Sequence, residues 1–102
     1  MVSDAQARVA AFLDANDLHT PPANRALDLA SEVGEGAKEV NVSTEYGAGA
    51  GATVAADELG DALFALLALC EETDTDAEAA LATAIEKYER RLDASGDAGS
   101  GE

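Results

Sequence analysis

Tryptophan is absent from this chain of 102 residues, and only two phenylalanines and two tyrosines supply aromatic bulk. A core without large rings must be filled by aliphatic and small side chains; Ala and Leu abound, which favours close-packed helices. A single cysteine excludes an internal disulfide, and Cys70 closes an apolar run, as a core thiol would. Positive charge is almost as scarce, with six Lys and Arg against 21 Asp and Glu and a net charge of −15. Nucleic-acid binding draws on a basic footprint, and none is present. The longest uninterrupted apolar run, Ala62–Cys70, covers nine residues, well short of the roughly 18 or more that span a membrane. No positively charged start leads into an apolar stretch, so no signal peptide is expected. A soluble, cytoplasmic protein that engages neither membrane nor nucleic acid is the expectation.

High net charge often means disorder, but a hydrophobic content of 47% with helical periodicity argues against it. Halophilic adaptation accounts for the charge instead, because a salty cytoplasm screens repulsion over a few ångströms. At 102 residues the chain forms one small domain, near the lower limit of what buries an adequate core alone. Self-association would relieve that shortage.

Capping chemistry and apolar spacing predict an all-α bundle of about four helices. The first runs over Asp4–Asn16, opened by Ser3 and Gln6 as a capping box and lined by Val9, Phe12 and Leu13. The paired prolines Pro21 and Pro22 break the chain, and a second helix covers Ala23–Val42. Glycines alternate with alanines over 46–51, which reads as a loop. A third helix spans Val54–Glu72, and Thr75 with Glu78 opens a fourth that ends near Leu92. The domain thus occupies residues 1–93, and 94–102 read as a disordered acidic Gly/Ser tail.

Four acids stand out against this frame. Glu32 and Glu35, and Glu58 and Asp61, form two pairs spaced three apart. On a helix such pairs share a face, about 5–6 Å apart at Cβ. Two helices packed on those faces would converge four negative charges, which demand raised pKa values or a cation. Hard divalent cations with oxygen ligands suit this, Mg²⁺ above all where phosphates are involved. Helix two by itself also fits an ordinary amphipathic helix: Leu27, Ala30, Val33, Ala37 and Val40 share one side, and Asp28, Glu32, Glu35 and Glu39 the other, solvated one. Helix three tips the balance, for no charge interrupts it between Asp61 and Glu71 and it reads as buried nearly all round. Glu58 and Asp61 continue there into Ala65, Ala68 and Leu69, so they should border an interior.

Lys87, Arg90 and Arg91 hold half of the scarce positive charge near the end of helix four. Cations suit a helix C-terminus, but Lys87 and Arg91, four apart, also point together as a phosphate-binding pair would. His19, the one histidine, lies in the proline-rich link with no partner spacing for zinc and reads as a surface residue. No Gly-Lys-Ser/Thr follows the glycines, so no phosphate loop is present.

The segments Leu27-Asp28-Leu29-Ala30-Ser31-Glu32-Val33-Gly34-Glu35, Asp57-Glu58-Leu59-Gly60-Asp61-Ala62-Leu63-Phe64 and Glu86-Lys87-Tyr88-Glu89-Arg90-Arg91 resemble the MazG-like nucleotide pyrophosphohydrolases of the all-α NTP pyrophosphatase superfamily. The superfamily pattern is Glu-Glu-x-x-Glu, a gap, then Glu-x-x-Asp, and the 22 residues between Glu35 and Glu58 fit that gap. The resemblance implies a helical bundle assembled as a homodimer or homotetramer. It implies Mg²⁺-dependent hydrolysis of a nucleoside triphosphate to the monophosphate and pyrophosphate, with Mn²⁺ a substitute. Glu32, Glu35, Glu58 and Asp61 would be metal ligands, Glu35 and Glu58 catalytic, and Lys87 and Arg91 substrate-binding. Ser31 replaces the first Glu of the pattern; Asp28 or Glu39, on the same face, are the residues that would compensate. Phosphoribosyl-ATP hydrolysis and a non-catalytic metal- or nucleotide-binding oligomer are the alternative functions.

Overall fold

Four helices account for the regular structure in the computed structural model, which describes residues 3–43 and 55–96: α1 (Asp4–Ala15), α2 (Pro22–Ser43), α3 (Ala56–Glu72) and α4 (Ala77–Ser95). The glycine-rich segment 46–51, Val54 and the tail from residue 97 lie outside the described residues.

The helix ends follow from local chemistry. The Ser3 hydroxyl accepts the Gln6 N–H at 3.2 Å and opens α1. The Gln6 side chain does not return to Ser3 as a capping box would require. Buried to 1% exposure, it donates to Glu71 and to the Thr75 carbonyl, each at 2.7 Å, and accepts the Ala77 N–H at 2.8 Å. One buried amide therefore ties α1 to the turn between α3 and α4, and satisfies itself by doing so. Pro22 opens α2, where its missing N–H costs nothing. Asp76 caps α4, its carboxylate accepting from Glu78 and Ala79 at 3.0 and 3.2 Å. Thr75, one residue earlier, was expected in that role; the left-handed Asp74 (φ 53°) re-aims the turn so that Asp76 reaches the free amides. α4 stops at Gly96, whose φ of 75° suits a left-handed cap. Ala94 and Ser95 are thus helical rather than part of the tail.

α3 is the central element, packed on α2 along one side and on α1 along another. Val9 and Leu13 of α1 meet Leu67 and Ala68 of α3, with Phe64 packed against them. Phe12 and Phe64 stack edge to face, centroids 5.8 Å apart at 84°. Ala65 and Ala68 are buried, as their stripe predicts. The rest of α3 is not enclosed: Leu59, Leu63 and Leu66 are exposed, so burial all round does not hold within one chain. α4 buries no residue, and Leu81, Ile85 and Leu92 lie open. A chain this short cannot cover every apolar stripe it carries.

α2 is turned the opposite way from an ordinary amphipathic helix. Leu27 and Val33, on its apolar side, are 70% and 55% exposed. Arg25 is buried, and Leu29, Glu32, Gly36 and Glu39 are half-buried along the side that faces α3. On the acid-bearing side Glu32 and Glu39 are thus half-buried, while Asp28 and Glu35 stay exposed.

Candidate metal centre

This inversion brings the two acid pairs together. Glu32 from α2 and Glu58 and Asp61 from α3 each offer one carboxylate oxygen, and the three oxygens lie within 4.8 Å of one another. Glu32 and Glu58 are half-buried and Asp61 is exposed. Glu35 is brought near without joining them: it is exposed, and its charge acts on both Glu32 and Glu58. The structure therefore assembles three of the four spaced acids tightly and sets the fourth at the rim.

Loss of water and then mutual repulsion act on the carboxyls of the cluster. Partial loss of water raises the Glu32 carboxyl above its ordinary value, reinforced by the charges of Asp61 and Glu35. The Glu58 carboxyl is raised for the same first reason, then by Asp57, Glu39, Glu32 and Glu35. A divalent cation answers such a set. Separations of up to 4.8 Å match the span of two metal–oxygen bonds placed opposite each other, about 4–5 Å for Mg²⁺ or Ca²⁺. All-oxygen, all-anionic donors suit those hard ions, so the residues present fit a divalent metal.

Ser31, Asp28, Arg25 and Phe64 join Glu32 and Asp61 around a cavity of about 350 Å³ beside the cluster. Ser31 thus lines the cavity beside the cluster. Of its two potential substitutes, Glu39 is otherwise engaged, accepting the Ala55 N–H. Ala55 opens α3 without a side-chain cap of its own, so Glu39 serves as the missing cap. Asp28 remains, facing the cavity.

Lys87 and Arg91 share a face of α4, as their spacing predicts. Both approach the Tyr88 ring, at 5.0 and 5.8 Å from its centroid. α4 packs along neither α2 nor α3 to any extent, so within one chain these cations are not delivered to the carboxylates. Cys70 is half-buried rather than fully buried, and burial followed by the Glu71 charge pushes its thiol up, away from reactivity.

A second charged assembly was not legible in advance. His19, read as a surface residue, has both ring nitrogens on carboxylates: Nε2 at 2.5 Å from Asp14 and Nδ1 at 2.9 Å from Glu72. Glu72 also accepts the Thr20 N–H at 2.7 Å and lies 3.8 Å from Arg25 Nε. Arg25 pairs at 3.8 Å with Asp28 and donates an Nη hydrogen to the Leu18 carbonyl. The backbone N–H of Thr20 comes first in holding the Glu72 carboxyl below its ordinary value, followed by His19. His19 is raised, chiefly by Asp14 and then by Glu72. One signal for Arg25 was available: it lies seven residues before Glu32, two helical turns along the same face. Glu72 carried none, since its partners are more than 45 residues away in the chain.

No helix among the described residues is long and apolar enough to cross a membrane. No curated protein and no solved structure matches the chain. The family model of the MazG nucleotide pyrophosphohydrolase domain matches residues 21–94, a segment that opens at the proline link, contains both acid pairs and closes near the end of α4. On that match, over most of its length and all of its carboxylate cluster, the chain belongs to the MazG nucleotide pyrophosphohydrolase family.

Proposed function

We propose that the protein is a divalent-metal-dependent nucleoside triphosphate pyrophosphohydrolase that releases the monophosphate and pyrophosphate, in the manner of nucleotide-pool cleansing. The observation that carries this reading is the convergence of Glu32, Glu58 and Asp61, one carboxylate oxygen of each within 4.8 Å of the others. Glu32, Glu58 and Asp61 hold the ion, Mg²⁺ or its substitute Mn²⁺, and Glu35 at the rim is the fourth carboxylate. A divalent ion held by these carboxylates would supply charge neutralisation for phosphate oxygens and a lowered water pKa. Glu35, with Glu58 beside it, would accept the proton from a water that attacks the α-phosphorus, with pyrophosphate as the leaving group. Lys87 and Arg91 balance the charge that develops on the departing pyrophosphate.

The last step requires a second copy. The cations lie on α4, which leaves the cluster of its own chain alone, and Leu81, Ile85 and Leu92 expose an apolar stripe on the same helix. Leu27, Val33, Leu59 and Leu63 form another uncovered surface around the carboxylates. A homodimer or homotetramer that buries these stripes against each other brings Lys87 and Arg91 of one copy toward the acids of another.

Pyrophosphate release from ribo- and deoxyribonucleoside triphosphates, with Mg²⁺ or Mn²⁺ in molar KCl, tests the reading. Monophosphate and pyrophosphate appearing in equal amounts is the expected outcome. Folded, metal-saturated protein that releases neither would refute it, and would favour the binding role that Ser31 in place of a Glu admits.

A further inference from the structure

α1 and the link that carries His19 precede residue 21, where the family match begins. Beyond its apolar contacts with α3, α1 is fastened near each end. The buried Gln6 amide holds its start to the turn between α3 and α4. His19 holds its other end. The charged groups that face this ring are Asp14 from α1 and Glu72 from α3, while Arg25 of α2 approaches Glu72 as well.

With a carboxylate on each nitrogen, the ring makes both hydrogen bonds only when both nitrogens carry protons. Asp14 first, then Glu72, hold that extra proton above the ordinary value of 6.5. Once one proton leaves, a nitrogen lone pair faces a carboxylate oxygen and one contact must open. Exposure decides which. The Asp14 side chain is 71% exposed and can turn to water, whereas that of Glu72 is 9% exposed. Glu72 also accepts the Thr20 N–H at 2.7 Å, which anchors it in place. The neutral ring therefore keeps its proton at Nδ1, on Glu72, and lets Asp14 go.

Arg25 supplies the charge that Glu72 then lacks. Its Nε is enclosed, has no hydrogen-bond partner and stands 3.8 Å from Glu72 Oε2. An N–H closed off from solvent is satisfied only from within the protein, and a buried donor left alone is costly. A shift of about 1 Å brings the two into hydrogen-bond range.

We propose that His19 is a proton-operated latch: its imidazolium ties the end of α1 to α3, and loss of its proton frees Asp14 while Glu72 closes on Arg25. The latch steadies Phe12, two residues before Asp14, whose ring packs on Phe64 in the wall of the cavity beside Glu32 and Asp61. It does not depend on the proposed function.

His19 is the one histidine, so a ¹⁵N-labelled imidazole reports on the latch without ambiguity. Nuclear magnetic resonance of the full chain across about pH 5–9 covers its titration. The expected midpoint lies above 6.5, with the neutral ring protonated at Nδ1. On the alkaline side the Arg25 Nε–H signal, identified by its loss in Arg25→Lys, should shift as a new hydrogen bond forms. Asp14→Asn, at an exposed side chain, should return the midpoint toward 6.5. At acid pH its last α1 amides should exchange at least about threefold faster than those of wild type, the effect of one partly exposed ion pair. At alkaline pH the two proteins should agree. A midpoint at or below 6.5, a neutral ring protonated at Nε2, or an Arg25 signal indifferent to pH overturns the latch. An exchange difference that persists at alkaline pH also overturns it, since Asp14 would then act without the proton.

Discussion

Two groups of acids sit at opposite stretches of α3, and they differ in what neutralises them. At the N-terminal stretch, Glu58 and Asp61 meet Glu32, with one carboxylate oxygen from each within 4.8 Å of the others. At the C-terminal end, Glu72 is met by a backbone N–H, an imidazole and a guanidinium, all from the connection into α2 and its first turns. Arg25 and His19 pair directly with Glu72, whereas Arg25 shares only a cavity wall with Glu32 and Asp61. An acid cluster that the protein compensates itself is a clamp; one that it leaves uncompensated is a place for something else to bind. The titration directions agree, with Glu32 and Glu58 raised and Glu72 lowered.

Removing a ligand from the open cluster is the strongest way to break this contrast. Asp61→Ala should lower pyrophosphate release by about a thousandfold or more, because the ion that organises the phosphates loses its hold. Far-ultraviolet circular dichroism should remain that of wild type, since Asp61 is exposed.

Stability should respond with opposite signs at the two ends. Glu72→Gln should lower the melting temperature, because the buried Arg25 guanidinium loses the more buried of its two carboxylate neighbours. Glu58→Gln in metal-free protein should raise it by relieving repulsion, and should abolish the stabilisation expected of wild type on addition of Mg²⁺. That stabilisation reaches about 2.7 kcal/mol when the ion is a hundredfold above its dissociation constant. Equal signs in thermal melts would erase the distinction between clamp and site.

Acidity sharpens the contrast less strongly. His19 binds its proton more tightly folded than unfolded, so its stabilising contribution is complete below its ordinary value of 6.5 and fades as pH rises through the raised value. Wild type should lose stability over that window, and His19→Gln should flatten the profile there. Glu32 and Glu58 act at lower pH: in metal-free protein their own contribution should be complete below their ordinary 4.5 and be lost as pH climbs through their raised values. Saturating Mg²⁺ should remove this second slope and leave the first.

Backbone stiffness gives the smallest effect. Gly34, Gly36 and Gly60 flank the open cluster, and a methyl group at any of them meets nothing within 4 Å. Gly36→Ala should therefore stabilise the protein by about 0.5–1 kcal/mol in denaturant melts. The clamp end has no glycine to replace.

Legibility followed range along the chain. Ser3, the prolines and the spacing of Val9, Phe12 and Leu13 act over a few residues, and the helices they predict are present within one to three residues of the expected ends. Gln6 was misassigned because its partners, Glu71, Thr75 and Ala77, are more than 60 residues distant and meet it only after α1 docks. The acids were found by period alone, yet Glu35 was ranked with Glu32 when only Glu32 joins the tight group. Spacing says which side chains share a face; it does not say how far each reaches across to the next helix.

The local sequence by itself determined four helices and two acid pairs, because capping and the 3.6-residue period need nothing beyond neighbouring residues. Tertiary structure alone decided which side of α2 turns inward. Packing Arg25 and Glu32 against α3 creates both the clamp and the open cluster, at the expense of leaving Leu27 and Val33 in water. That choice depends on burial and charge summed over three helices at once, a sum that no single stretch of the chain contains.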